Sequence, residues 1–126
     1  MSATPTRATI YEDTAITCMA RILGDDAAAI TQSDISSISL SVFKNASTTK
    51  SSGPTALTVS DVIFDSYQTD ARWTKDSTGY NFRYQIPAAV PDTGDATYQC
   101  EFKFTPASQP VFFVVFLVDT VEVFTS

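Results

Sequence analysis

Val111-Phe-Phe-Val-Val-Phe-Leu-Val118 runs through eight apolar residues without a charge, a hydroxyl or a glycine. It is too short to cross a bilayer as a helix, which takes about 20 residues. Three Phe and four Val among the eight favour a strand, because aromatic and β-branched side chains fit a pleated surface and lose rotamer freedom in a helix. Side chains alternate along a strand, so Val111, Phe113, Val115 and Leu117 point one way and Phe112, Val114, Phe116 and Val118 the other. Both faces are therefore apolar. In a two-layer antiparallel domain one face of a strand meets the core and the other ordinarily meets water. The second face needs a cover, either from residues 45–55 or the connection around Trp73 of the same chain, or from another subunit. Intermolecular burial is the favoured reading, since apolar patches beyond a few hundred Å² are uncommon on monomers.

The 126 residues fit one domain, residues 1–126, that can bury a core without staples. An apolar fraction of 44%, with nine Phe, five Tyr and one Trp, excludes disorder arising from low hydrophobicity. Eight Lys and Arg against fourteen Asp and Glu give a net charge of -6, which opposes a phosphate backbone and argues against nucleic acid as a partner. Residues 1–7, Met-Ser-Ala-Thr-Pro-Thr-Arg, read as a polar tail without the apolar core of a secretory signal. No other stretch suggests a membrane span or a lipid anchor, so the expectation is a product made in a cytoplasm, with no membrane insertion.

Upstream of the apolar stretch, Asp95 to Phe104 alternates with Ala96, Tyr98, Cys100, Phe102 and Phe104 inward, and Pro106 to Pro110 links the two strands. Gly79 to Ile86 alternates as strictly, with Tyr80, Phe82, Tyr84 and Ile86 on one face and Asn81, Arg83 and Gln85 on the other. Between them Pro87 to Gly94 breaks the chain, because two prolines remove ladder donors and Gly94 permits a tight turn.

In the first half, Ala8 to Tyr11 reads as a short edge strand, and Thr14 to Leu23 as a half-buried strand with Ile16, Cys18, Ala20 and Ile22 inward. Gly24-Asp25-Asp26 is a turn; its aspartates match no Asp-x-Asp-x-Asp-Gly calcium loop. Ala27 to Ser36 forms either one helical turn, with Ser33 or Asp34 as cap, or a short strand. Ser37 to Lys44 is a strand with Ile38, Leu40 and Val42 inward. Residues 45–56, rich in Ser, Thr, Gly and Pro, read as a flexible loop, Leu57 to Phe64 as a strand, and Asp65 to Thr78 as a polar connection. Asn45-Ala-Ser47 matches a glycosylation acceptor, which carries no weight without a secretory signal. The result is an all-β chain of seven or so strands, with no long helix and no internal repeat, and the layer arrangement that fits is an antiparallel β-sandwich.

Candidate chemistry is sparse. There is no histidine, no Cys-x-x-Cys spacing, no Gly-rich phosphate loop and no nucleophile elbow, so neither a metal, a cofactor nor a catalytic residue is expected, and the chain reads as a non-enzyme. Cys18 and Cys100 either pair across two sheets or stay as buried reduced thiols, the state a cytoplasm favours. Trp73 is either a lid on one end of the core or an exposed platform for a sugar or a protein partner. In the second case Tyr67, Arg72, Trp73 and Lys75 form a candidate ligand contact, with Tyr80 nearby.

Asp92-Thr-Gly-Asp-Ala-Thr-Tyr98-Gln-Cys100 resembles the Asp-x-Gly-x-Tyr-x-Cys signature of immunoglobulin-like domains, in which a tyrosine two residues before the second cysteine bonds upstream backbone. Trp73 lies far past Cys18, whereas that family carries its tryptophan soon after the first cysteine. Tyr80-Asn-Phe-Arg83 followed by the proline-broken loop, and Tyr98-Gln-Cys-Glu-Phe102 followed by a closing apolar strand, resemble immunoglobulin-like virion proteins of tailed bacteriophages. That resemblance implies a structural protein of a phage particle, a capsid decoration protein or a tail adaptor, located in the virion and bound to capsid or tail subunits or to copies of itself in a symmetric assembly. Val111, Phe112, Phe113, Val114, Val115, Phe116, Leu117 and Val118 are the interface residues this reading names. A glycan or cell-surface receptor bound through Trp73 and neighbouring aromatics is the alternative.

Overall fold

The computed structural model describes residues 6–24 and 27–123. Among these, eight strands account for most of the structure, so the all-β expectation holds with one strand more than the seven or so expected. They are β1 (Thr6–Tyr11), β2 (Ile16–Ala20), β3 (Ile35–Lys44), β4 (Lys50–Leu57), β5 (Ile63–Gln68), β6 (Tyr80–Ile86), β7 (Thr97–Pro106) and β8 (Phe112–Val121), with one helical turn, α1 (Val59–Val62). The strands form a five-stranded sheet in the order β1-β8-β7-β3-β4 and a three-stranded sheet in the order β2-β6-β5. Each pairing is antiparallel except that of β1 with β8, which is parallel and places Arg7 opposite Leu117 and Tyr11 opposite Val121.

One core joins the sheets. Ile16 and Cys18 of β2 with Phe82 and Ile86 of β6 meet Ile38, Leu40 and Val42 of β3 and Phe102 and Phe104 of β7. The Phe82 ring meets Phe102 edge-on at 5.0 Å and Phe104 at 5.4 Å between centroids, and Phe102 meets Phe116 at 5.7 Å. Such edge-to-face contacts add about 0.5–1.5 kcal/mol each beyond the burial itself. Burial raises the Cys100 thiol to about 12 and raises Cys18 through desolvation first and the neighbouring Cys100 second. Both cysteines stand as free, buried thiols.

Several local readings need correction. Residues 45–56 are not one loop: Lys50–Leu57 is β4, paired with β3 from Phe43↔Lys50 to Ile38↔Leu57 with two register shifts. An edge strand needs only its ladder bonds to one neighbour, so Ser, Thr, Gly and Pro serve and no apolar alternation marks it. Leu57 to Phe64 is not a single strand. Leu57 ends β4, and the α1 turn, closed by Asp61 N–H on the Thr58 carbonyl at 3.0 Å, carries the chain to β5 in the other sheet. The polar connection is shorter than expected because β5 extends to Gln68.

Residues 27–36 hold a 3-10 turn, Gln32–Asp34, whose cap is Thr31; the Asp34 carboxylate reaches back to the Thr31 N–H at 2.9 Å. Asn81, expected outward, is buried. Gly94 supplies room, not positive φ: a Cβ there would lie 2.6 Å from Glu122 Cα, while Asp95 takes the left-handed conformation at φ 52°. Thr6 and Arg7 of the expected tail belong to β1. The first five residues, the Asp25-Asp26 pair and Phe124 lie outside the described residues.

Candidate functional site

The alternation of β8 sorts its side chains as the apolar stretch dictates. Phe116 and Val118 are buried, and Phe112 and Val114 pack against the same core, with Phe112 stacked on Phe104 at 4.9 Å. On the outer face Phe113 is 52% and Val111 46% exposed, while Val115 and Leu117 are half-buried by their neighbours in the sheet. Val111 itself lies one residue before β8. Of the segments expected as a cover, Lys50–Leu57 forms β4 at the far edge of the same sheet, and Trp73 belongs to the connection between β5 and β6.

The stripe has a polar flank that the strand register defines. On the β7 side Lys103 pairs with Phe113, Glu101 with Val115 and Gln99 with Leu117. On the β1 side Arg7 pairs with Leu117 and reaches Asp119, its Nε 3.0 Å from Oδ2. Asp119 also accepts the Thr97 hydroxyl at 2.7 Å, and these two bonds, Thr97 first and Arg7 second, lower its carboxyl pKa. Two cations and two anions thus border the apolar stripe, a locally neutral rim on a chain of net charge -6. An apolar centre with a mixed polar rim is the anatomy of a protein-binding surface.

The second candidate cluster lies beside the three-stranded sheet. Trp73 is half-buried, with its ring 5.6 Å from that of Tyr80, and its indole N–H donates to Asp76 at 3.1 Å. It closes over Tyr80 and takes no part in the core between the sheets. Asp76 Oδ1 also accepts the Gly79 N–H at 3.1 Å, and its other oxygen meets Arg21 at 2.8 Å. The Gly79 bond first, then those of Trp73 and Arg21, hold the Asp76 carboxyl at about 2. Gly79 sits at φ +104°, where an added Cβ would fall 2.2 Å from the Gln68 carbonyl oxygen, so only glycine closes this turn.

Asp70 organises the other half of the cluster. It accepts Arg72 at 3.0 Å and the Tyr80 hydroxyl at 2.8 Å, and lies 3.7 Å from Arg83. Arg72 and then Tyr80 lower its carboxyl to about 2. Arg83 donates to the Tyr80 hydroxyl at 3.2 Å and lies over the Phe64 ring at 5.4 Å. Of the residues named from sequence, Arg72 and Trp73 therefore meet one network through Tyr80. Tyr67, 38% exposed, adjoins it beneath the guanidinium of Arg21, the partner of Asp76, and Lys75 is exposed on the loop. Arg21, Asp70, Asp76 and Arg83 are the members that sequence reasoning missed. Their local signal is Asp70-x-Arg72 and Asp76-x-x-Gly79, carboxylates that bond backbone N–H groups two or three residues on.

Among the described residues no three His, Cys, Asp or Glu side chains come together to hold a metal ion, and no helix is long and apolar enough to cross a membrane. No protein-family model matches the chain, and no curated protein or solved structure does.

Proposed function

We propose that this chain is a non-enzymatic structural protein of a phage particle, an immunoglobulin-like β-sandwich that binds a second copy of itself in a symmetric assembly through the outer face of β8. The observation that carries the reading is the apolar stripe of Val111, Phe113, Val115 and Leu117, with Phe113 52% and Val111 46% exposed, within a neutral polar rim. The neutral rim favours a second copy as occupant, because this face meets its like without opposing the overall charge of -6. In a two-fold contact one patch serves both partners, and Phe113 is placed to be the central anchor. Each Å² of apolar surface covered contributes about 25 cal/mol before association costs, and a specific interface covers about 800 Å² per partner.

Three features support the immunoglobulin-like assignment. The five-stranded sheet carries its first strand parallel to its last, Cys18 and Cys100 face each other across the two sheets' core, and Tyr98 makes a corner. There the Thr93 N–H donates to the Tyr98 hydroxyl at 3.0 Å, and that hydroxyl donates to Asp92 at 3.1 Å. The location in a virion, whether capsid or tail, rests on the resemblance at Tyr80 to Arg83 and Tyr98 to Phe102. The glycan reading through Trp73 gains nothing from the geometry, since that ring is engaged by Tyr80 and Asp76.

The test is co-purification. Tagged chain expressed in infected cells should band with finished particles in a density gradient, and Phe113→Asp should remain folded and stay in the soluble fraction. Wild-type chain that never enters particles would overturn the virion role.

A further inference from the structure

A groove of about 540 Å³ opens between the three-stranded sheet and the end of β4. It exists because β5 meets β6 only at Phe82 and Tyr80, so Tyr84 and Gln85 have β2 on one side and the α1 crossover on the other. Its size falls in the range of small-ligand sites, roughly 300–1,000 Å³. Its walls, however, are mostly polar. Arg72, Arg83 and Gln85, with planar donor groups, line it together with Asp61 and Thr58, and Tyr84 is the one aromatic residue of the lining. Such a lining suits a ligand dense in hydroxyls and does not suit an apolar one.

The arginines are held from behind. Asp70 bonds Arg72 at 3.0 Å and approaches Arg83 at 3.7 Å, and Arg83 is fixed further by the Tyr80 hydroxyl and the Phe64 ring. Two guanidiniums share one carboxylate, which leaves one positive charge on this wall and N–H groups of each fork for a ligand. These bonds hold the guanidiniums in place in the absence of a ligand, which lessens the entropy lost on association.

We propose that this groove binds a carboxylate-bearing saccharide. Arg72 and Arg83 take the carboxylate, and Asp61 and Gln85 take ring hydroxyls. Asp61 accepts from hydroxyls and repels a second anionic group, so a singly charged sugar fits where a phosphate dianion does not. The groove contains no residue of β8 and is independent of the assembly reading.

The experiment is titration of the full chain, followed by NMR chemical shifts, with methyl glucuronide, N-acetylneuraminic acid, methyl glucoside and inorganic phosphate. At least one carboxylated sugar should bind with a Kd of about 1–10 mM or tighter, shifting signals of Arg72 and Gln85, and about tenfold more tightly than the neutral glycoside. Arg72→Ala and Arg83→Ala should each weaken that binding about tenfold. Lys75→Ala, on the same loop but outside the groove, should leave it unchanged. Should Arg83→Ala fail to fold, Arg72→Ala alone decides, since Arg72 is exposed and lies outside the core. Absence of binding by both carboxylated sugars, equal binding of the neutral glycoside or of phosphate, or binding that survives Arg72→Ala would each overturn the proposal.

Discussion

Asn81 holds the main chain of Ile22 from both sides: its Oδ1 accepts the Ile22 N–H at 2.8 Å and its Nδ2 donates to the Ile22 carbonyl at 3.0 Å. The same amide group also reaches the Ile30 carbonyl at 3.3 Å. β2 ends at Ala20, two residues earlier, so a side chain takes over the bonds that a strand neighbour would make. Asn81 is 1% exposed, and without it the Ile22 N–H loses its partner in a place water does not reach, while the Ile22 carbonyl keeps the Ile30 N–H at 3.2 Å. Replacing it with Ala should destabilise the fold by about 2–3 kcal/mol, read as a lower urea midpoint at an unchanged slope. An unchanged midpoint would show that the bonds are dispensable.

Cys18 and Cys100 are 1% and 0% exposed, and burial raises both thiols, Cys100 to about 12. The thiolate is the reactive species, so at pH 8 both are held in the inert form by burial and protonation together. A disulfide-exchange reagent should label neither in the native protein and both after denaturation in guanidinium. Rapid native labelling would contradict their burial, and absence of thiols after denaturation would mean that the two are joined.

Asp70 and Asp76 have carboxyl values of about 2 in the fold against about 3.9 in an unfolded chain. A lowered value means that the ionised form is favoured by folding. This stabilisation is present in full above about pH 4 and is lost as the pH falls towards 2. The wild-type melting temperature should drop over that interval, and Asp70→Asn and Asp76→Asn should each flatten the drop and converge with wild type at its lower end. Carboxyl carbon titrations by NMR should place both midpoints below the ordinary aspartate range; midpoints near 4 would contradict the bonding described for Arg72, Tyr80, Trp73 and Gly79.

β7 and β8 were legible residue by residue. In β7 the expected inward set from Tyr98 to Phe104 is buried, and in β8 the two faces divide as alternation requires, because a half-buried strand writes its geometry into every second residue. β4 left no such mark. Its Lys-Ser-Ser-Gly-Pro-Thr sequence is mostly exposed on both faces and is held by main-chain bonds to β3, which any residue but proline can make. Asn81 was misread for a related reason: periodicity reports on apolar side chains, and an amide buried for its hydrogen bonds looks like an outward polar residue. At the candidate sites, the apolar stripe was visible in the sequence, whereas the meeting of Asp70, Tyr80 and Arg83 depends on a loop returning against a strand and has no short-range signature.

The central claim is that the outer face of β8 is covered by another copy of the chain. Its most direct test is the solution mass by light scattering of wild type, Phe113→Asp and Phe116→Asp. Phe113 is 52% exposed on the outer face and Phe116 is 5% exposed against the core. Wild type should have the mass of an oligomer, Phe113→Asp should be a monomer with the wild-type circular dichroism spectrum, and Phe116→Asp should fail to fold because it buries an unpaired charge. A monomeric wild type, or a Phe113→Asp variant that keeps the oligomeric mass, would contradict the claim.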